Sequence, residues 1–256
     1  QHVREMVTGP IIPTPGAVME CTKLLYEYLG DLIVLDVGGA TTDLHSVTVE
    51  SDQVARLMIS PEPKAKRTVE GDLGVYVNRW KVVESIGEEK LREQCREQGF
   101  SMEHALETYR AIPKTEEEVK LVELLTREAV VKAAERHAGR LRYIYGPSGR
   151  STVAEGKDLT QVKYIVGTGG ALTRLPHREE IMREITRCNE SGMLLLPGEH
   201  AQILVDHDYI MASLGVLSKR YPQAAARLLE QSLGITFPER KAEEPVPVCN
   251  KELSRL

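Results

Sequence analysis

The stretch Asp36-Val37-Gly38-Gly39-Ala40-Thr41-Thr42-Asp43 carries most of what this sequence says about its fold. Before it comes Leu32-Ile33-Val34-Leu35, a continuous apolar run of the kind that forms a strand buried on both faces. After it, Leu44 to Val49 and Gln53 to Ile59 read as two further strands connected near Ser51-Asp52. The octapeptide is therefore predicted to be the tip of a hairpin growing from the first strand. Adjacent glycines let backbone N–H groups approach an anion with no β-carbon in the way. Thr41 and Thr42 add hydroxyl donors. Asp36 and Asp43 flank the turn and would repel a bare phosphate unless a divalent cation lies between them. Composition alone leaves two readings open, a Mg2+-phosphate site and a structural Gly-Gly hairpin with polar tips.

Working outward, Thr14 suits a helix N-cap and Pro15 the first helical position. Ala17, Val18, Cys21, Leu24, Leu25 and Tyr28 then share one helical face, and Gly30 can end the helix. Downstream, Pro61 to Arg67 reads as a basic, proline-bearing connector. Arg67-Thr68-Val69-Glu70-Gly71-Asp72 sets a glycine with acidic neighbours just ahead of an expected helix, and Asp72 to His137 reads as mostly helical. Thr115 to Glu118 fits a capping box, followed by the stripe Val119, Val122, Leu125, Ala129 and Ala133. His137 lies on that stripe and reads as a satisfied core residue. Leu141 to Tyr145 is expected as a strand, Gly146 to Gly149 as a turn, and Gln161 to Val166 as another strand. A helix after that strand, a second near Arg178 to Arg187, a strand at Ile203 to Val205, and helices near Tyr209 to Lys219 and Ala224 to Leu233 complete the pattern. Strands and helices interleave, so the class is α/β. The tail from Pro238 onward shows little pattern and is expected to be mobile.

With 256 residues, 41% of them hydrophobic and 28% charged, the chain has the material for a packed core. A net charge of −5 argues against nucleic acid as a partner. No apolar run is long enough to span a membrane, so no membrane association is expected. Cys21, Cys95, Cys188 and Cys249 are scattered and read as reduced thiols of a cytoplasmic protein.

A second glycine-rich loop, Val166-Gly167-Thr168-Gly169-Gly170-Ala171, ends a predicted strand, where such loops often pass close to a nucleotide. The third glycine of a dinucleotide fingerprint would fall on Leu172, and no P-loop is present. Together, the hairpin, the Glu70-Gly71-Asp72 step and this loop resemble the second half of the ATPase fold shared by actin, Hsp70 chaperones and sugar kinases. Pro13 to Tyr28 is similar to that fold's first connecting helix and Tyr209 to Leu217 to its second. Within that superfamily, Asp36 to Ser46, Pro13-Thr14-Pro15, Lys66 to Gly74 and Gly167 to Gly170 are similar to the glutamate mutase accessory proteins, the GlmL/MutL family (unrelated to mismatch-repair MutL).

The resemblance implies a ribonuclease H-like lobe from residues 1–70 and 139–237, with a mostly helical insertion subdomain over residues 71–138 and a tail over 238–256. It implies ATP or ADP with Mg2+ as ligands. Asp36 would hold Mg2+ through water, the Gly38 and Gly39 amides and the Thr41 and Thr42 hydroxyls would cradle phosphates, and Asp43 would orient water. Glu70, Gly71, Gly167, Thr168, Gly169 and Gly170 would line the adenosine side. The implied function is that of an ATP-dependent reactivating chaperone for an adenosylcobalamin-dependent mutase, with the helical insertion as its partner surface. No first phosphate hairpin precedes Asp36, and the chain starts at Gln1 instead of methionine, so an N-terminal lobe of the same protein is expected as a further partner. The alternatives are a hydantoinase- or oxoprolinase-like hydrolase subunit and a non-catalytic interaction module on the same fold.

Overall fold

The computed structural model describes residues 12–147 and 149–238. Ser148, Cys249 and the rest of the expected tail from residue 239 lie outside the described residues. In chain order the elements are α1 (Thr14–Leu29), β1 (Leu32–Val37), β2 (Thr42–Val47), α2 (Asp52–Ala55), β3 (Ala65–Glu70), α3 (Arg79–Ile86), α4 (Glu88–Glu97), α5 (Met102–Glu107) and α6 (Glu116–His137). They continue with β4 (Arg140–Gly146), β5 (Gly149–Glu155), β6 (Tyr164–Thr168), α7 (Gly169–Arg174), α8 (Arg178–Arg183), β7 (Gln202–Val205), α9 (Met211–Ser218) and α10 (Pro222–Leu233).

Five strands form one mixed sheet in the order β3-β2-β1-β6-β7. The β1–β2 and β2–β3 pairs are antiparallel, whereas β6 and β7 run parallel to β1. β1 sits centrally, and its apolar residues alternate between two cores. Ile33, Leu35 and Val37 pack toward α3 to α6 and α7–α8, in a cluster continuous with Leu121, Leu125 and Ala129 of α6. Leu32 and Val34 face α1, α9 and α10, alongside Leu25, Val166 and Leu229. Burial on both faces explains why β1 reads as an unbroken apolar run.

The α6 capping box is present: Thr115 Oγ1 accepts from the Glu118 amide at 3.2 Å, and Glu118 Oε2 accepts from the Thr115 amide at 3.1 Å. At the far end of α6, His137 is buried and both ring nitrogens are paired, with Ser46 Oγ at 2.8 Å and Thr68 Oγ1 at 2.9 Å. These bonds pin the helix to β2 and β3. Burial, then the Lys66 charge, holds this imidazole down to about 3, so it is neutral at neutral pH.

Four sequence expectations require correction. Gln53 to Ile59 is not a strand: the Ser51 hydroxyl caps the Val54 amide at 3.3 Å and starts the short helix α2. The third strand of the meander is instead β3, which takes in the end of the supposed basic connector, from Ala65 to Arg67. As an edge strand it carries Lys66, Arg67, Thr68 and Glu70 beside only Ala65 and Val69, which hid it from a hydrophobic-pattern reading. Asp72 does not open a helix; Glu70 ends β3 and the next helix begins at Arg79. Finally, Pro13 and not Thr14 precedes the first helical residue, since the extended Pro13 (φ −59°, ψ 146°) already lends its carbonyl to the Ala17 amide at 3.0 Å. The hairpin β4–β5 has a second strand that the pattern did not reveal.

Candidate functional site

The site is assembled where the carboxyl ends of β1, β6 and β7 meet the start of β2. Period-two alternation sets Asp36 of β1 and its register partners Asp43 of β2 and Thr168 of β6 on the same sheet face. Asp206, which directly follows β7, extends this row and accepts the Thr168 hydroxyl at 2.8 Å. Two carboxyls of the row are held above the usual carboxylate range. Burial and then the neighbouring Asp206 push Asp36 up to about 6. Burial, then Asp36, pushes Asp43 up to about 6 as well, with Arg67 partly opposing and Glu70 adding to the rise.

Asp206 itself is saturated with donors. It accepts from Thr168, from Ser232 Oγ at 2.6 Å, and from the Ile210 and Met211 amides at 3.2 and 3.0 Å. It thereby ties the β6–α7 loop to the first residues of α9. Asp43 differs, because its Oδ1 is buried without any partner. A buried, unpaired carboxylate oxygen beside a second carboxylate is costly unless a cation or donor supplies the missing charge. These hard oxygen acceptors fit Mg2+, which keeps most of its waters and takes one or two carboxylates. Among the described residues no group of three His, Cys, Asp or Glu side chains forms a closed protein cage for a metal ion.

The two glycine-rich loops meet over this row. Gly169 has φ +86°, and a β-carbon there would stand 2.5 Å from Asp36 Oδ1 and 2.6 Å from the Val37 carbonyl. Only glycine lets the second loop lie this close to the first. The hairpin turn is closed by Gly38 N–H donating to Thr41 O at 2.9 Å, and it is backed by residues 73–77. Tyr76 and Val77 amides donate to the Gly39 carbonyl at 2.9 and 2.7 Å, and the Asn78 amide group bridges the carbonyls of Ala40 and Gly71 at 2.7 Å each. Among the described residues, no acceptor faces the amides of Gly39 and Ala40.

A cleft of about 450 Å³ opens beside the turn, lined by Gly38 and Gly39 from the first loop and Gly170 from the second. Tyr76, Tyr109, Ile112 and Leu175 make it largely apolar, and Arg110, Arg174 and Tyr209 rim it. Tyr76 and Tyr109 stack at 6.1 Å between centroids, and Arg79 lies over the Tyr109 ring at 5.4 Å.

Four further expected site residues, and Gly71 beside them, do not line the cleft. Thr42 is buried and its hydroxyl donates to the Leu73 carbonyl at 2.7 Å. Gly167 packs against Met182, and Thr168 is engaged with Asp206. Glu70 accepts from Arg136 at 2.6 Å, and Arg136 also forks onto Asp72 at 2.8 Å, so Glu70 and Gly71 flank the hairpin without lining the cleft. Sequence reasoning missed Asp206, Arg174 and the two tyrosines. Asp206 had a signal, since Val205-Asp206 repeats the β1 pattern of an apolar strand ending in a carboxylate.

Comparison with known proteins gives the chain a context. Residues 1–233 match the family described as "MutL protein". "Protein MutL" of Clostridium tetanomorphum is 34% identical over 244 residues, covering 91% of this chain and 53% of that protein. The chain thus spans about half the length of the curated relative it matches.

Proposed function

The chain belongs to the MutL protein family, and on that premise we propose that it forms one wall of an ATP cleft in an accessory factor serving an adenosylcobalamin-dependent mutase. The observation that carries this reading is the meeting of the two loops. Gly38, Gly39 and Gly170 share one cleft, and Gly169, next to Gly170 in the second loop, lies against Asp36 of the first. The strand order β3-β2-β1-β6-β7, with an antiparallel three-stranded meander continued by two parallel strands, supports a ribonuclease H-like lobe of the actin and Hsp70 type.

In this reading the open amides of Gly39 and Ala40 and the Thr41 hydroxyl receive phosphate oxygens, and the apolar cleft beyond Gly170 takes the nucleoside. Asp36 holds Mg2+ through water. Asp43, with its unpaired Oδ1, orients or polarises the attacking water. Thr42, Gly167 and Thr168 support the loops from behind, and Glu70 acts through Arg136.

Phosphoryl transfer needs charge stabilisation from several directions, and one wall supplies only part of it. The chain alone therefore binds nucleotide with little or no turnover, and hydrolysis requires an opposing lobe. Closure of two lobes around ATP is a hinge motion that an accessory factor can convert into work on a mutase. Calorimetric titration of the chain with Mg2+-ATP tests the site: binding that needs Mg2+ and is lost in Asp36→Ala supports it. Magnesium-dependent turnover by the isolated chain would refute the division of labour.

A further inference from the structure

The hairpin β4–β5 projects from the molecule, and its root and tip differ in character. At the root, Ala154 exchanges backbone bonds with Leu57 and Ile59, and Leu141 N–H donates to Met193 O at 2.7 Å. Val54, Ala154 and Leu195 make a small apolar cluster beneath it. Among the described residues, no other element covers the ribbon beyond Arg142, and at about 3.3 Å per residue the steps to Gly146 extend it roughly 13 Å. Tyr143, Ile144 and Tyr145 are 48%, 50% and 79% exposed. A lone two-stranded ribbon in water is marginal and normally gains its stability from something packed on it.

Its composition indicates what would pack there. Residues 140–155 hold three arginines and one glutamate, with no lysine or aspartate, in a chain of net charge −5. The glutamate, Glu155, is already paired with Arg142 at 2.7 Å, leaving Arg140 and Arg150 uncompensated on the arm. Tyr143, Tyr145 and Arg150 share one face, and the Arg150 guanidinium lies 4.5 Å from the Tyr143 ring centre. Tyrosine and arginine are the residues enriched at the energetic centres of protein interfaces. The acidic remainder of the chain opposes an extended polyanion or an anionic membrane, but it leaves room for a discrete carboxylate patch on a protein.

We propose that this arm is a protein-docking device whose Tyr143–Tyr145–Arg150 face seats in an apolar recess rimmed by carboxylates on the mutase. This rests on the accessory-factor reading above. It assigns partner contact to the β4–β5 arm and not to the helical block of residues 71–138.

The test is biolayer interferometry between the 256-residue chain and the purified adenosylcobalamin-dependent mutase of the same organism. The double variant Tyr145→Ser/Arg150→Glu should bind at least tenfold more weakly, with unchanged affinity for Mg2+-ATP, and added salt should weaken the wild type. Tyr145→Ala alone carries the test if the double variant does not fold. Equal binding by wild type and variant would overturn the arm alone. No binding by the wild type would overturn both the arm and the accessory-factor reading, while leaving the nucleotide site to its own assay. If the variant instead abolishes self-association in sedimentation velocity, or retention on phosphatidylserine vesicles, the arm serves another partner and the proposal fails.

Discussion

Gly169 rests on the carboxylate of Asp36, so close that a β-carbon on it would stand 2.5 Å from Asp36 Oδ1. Through this contact the two glycine-rich loops, more than a hundred residues apart in sequence, act as one surface. The same contact helps exclude water from Asp36, which is the main reason its carboxyl sits near 6.

Adjacent glycines of the second loop should therefore respond differently to substitution. Gly169→Ala meets both a clash and a left-handed backbone (φ +86°), and should cost about 3 kcal/mol of stability. Gly170→Ala meets open space and should stay within about 0.5 kcal/mol of wild type in urea melts, while weakening nucleotide binding because it lines the cleft.

The carboxylate row predicts a pH dependence of defined sign. Asp36 and Asp43 have folded values raised from 3.8 to about 6, so their protonation favours the folded state between those limits. Their contribution to stability is present at low pH and is lost as pH rises from about 4 to about 6. The buried His45 and His137, lowered from 6.5 to about 3, act in the opposite sense across much of that window. The difference between wild type and Asp43→Asn isolates the contribution of Asp43: the variant's advantage should grow as pH rises from 4 to 7. Mg2+ affinity in the wild type should rise over the same interval, as the protons leave.

The two threonines of the hairpin should separate binding from folding. Thr42→Val removes a buried bond to the Leu73 carbonyl and should cost about 1 to 2 kcal/mol in denaturant melts, with little change in nucleotide affinity of the remaining folded protein. Thr41→Ala should leave stability within about 0.5 kcal/mol and weaken Mg2+-ATP binding. The opposite pattern would exchange their roles.

The crossing of α1 and α9 depends on Gly215, whose absent side chain lets the helix backbones touch. A β-carbon there would fall 1.8 Å from the Ala17 carbonyl oxygen. Gly215→Ala should force the helices apart at a cost of about 3 kcal/mol or more, lowering the urea midpoint.

The parts of the fold legible in the sequence are those written in apolar periodicity or capping chemistry. β1, buried on both faces, and α6, with Thr115 and Glu118 at its start, declared themselves. β3 did not, because an edge strand carrying Lys66, Arg67 and Glu70 has no apolar alternation, and α2 was concealed by a cap from Ser51. At the site, the glycine loops were readable as motifs, but their contact was not. Asp206 joins Asp36 only through the register of β1, β6 and β7, and the tyrosines of the cleft arrive from a distant helical block. Thr42 and Thr168 looked like ligand donors because sequence does not reveal which way a hydroxyl points.

The central claim is that the two loops form one Mg2+-dependent nucleotide surface, and calorimetric titration of Mg2+-ATP into wild type, Asp36→Ala and Gly170→Ala tests it most directly. Saturable binding by the wild type, abolished by chelating Mg2+, is expected, with at least tenfold weaker binding in each variant despite intact folding. Wild-type binding that persists without Mg2+ and is unchanged in both variants would contradict it, as would no binding at all.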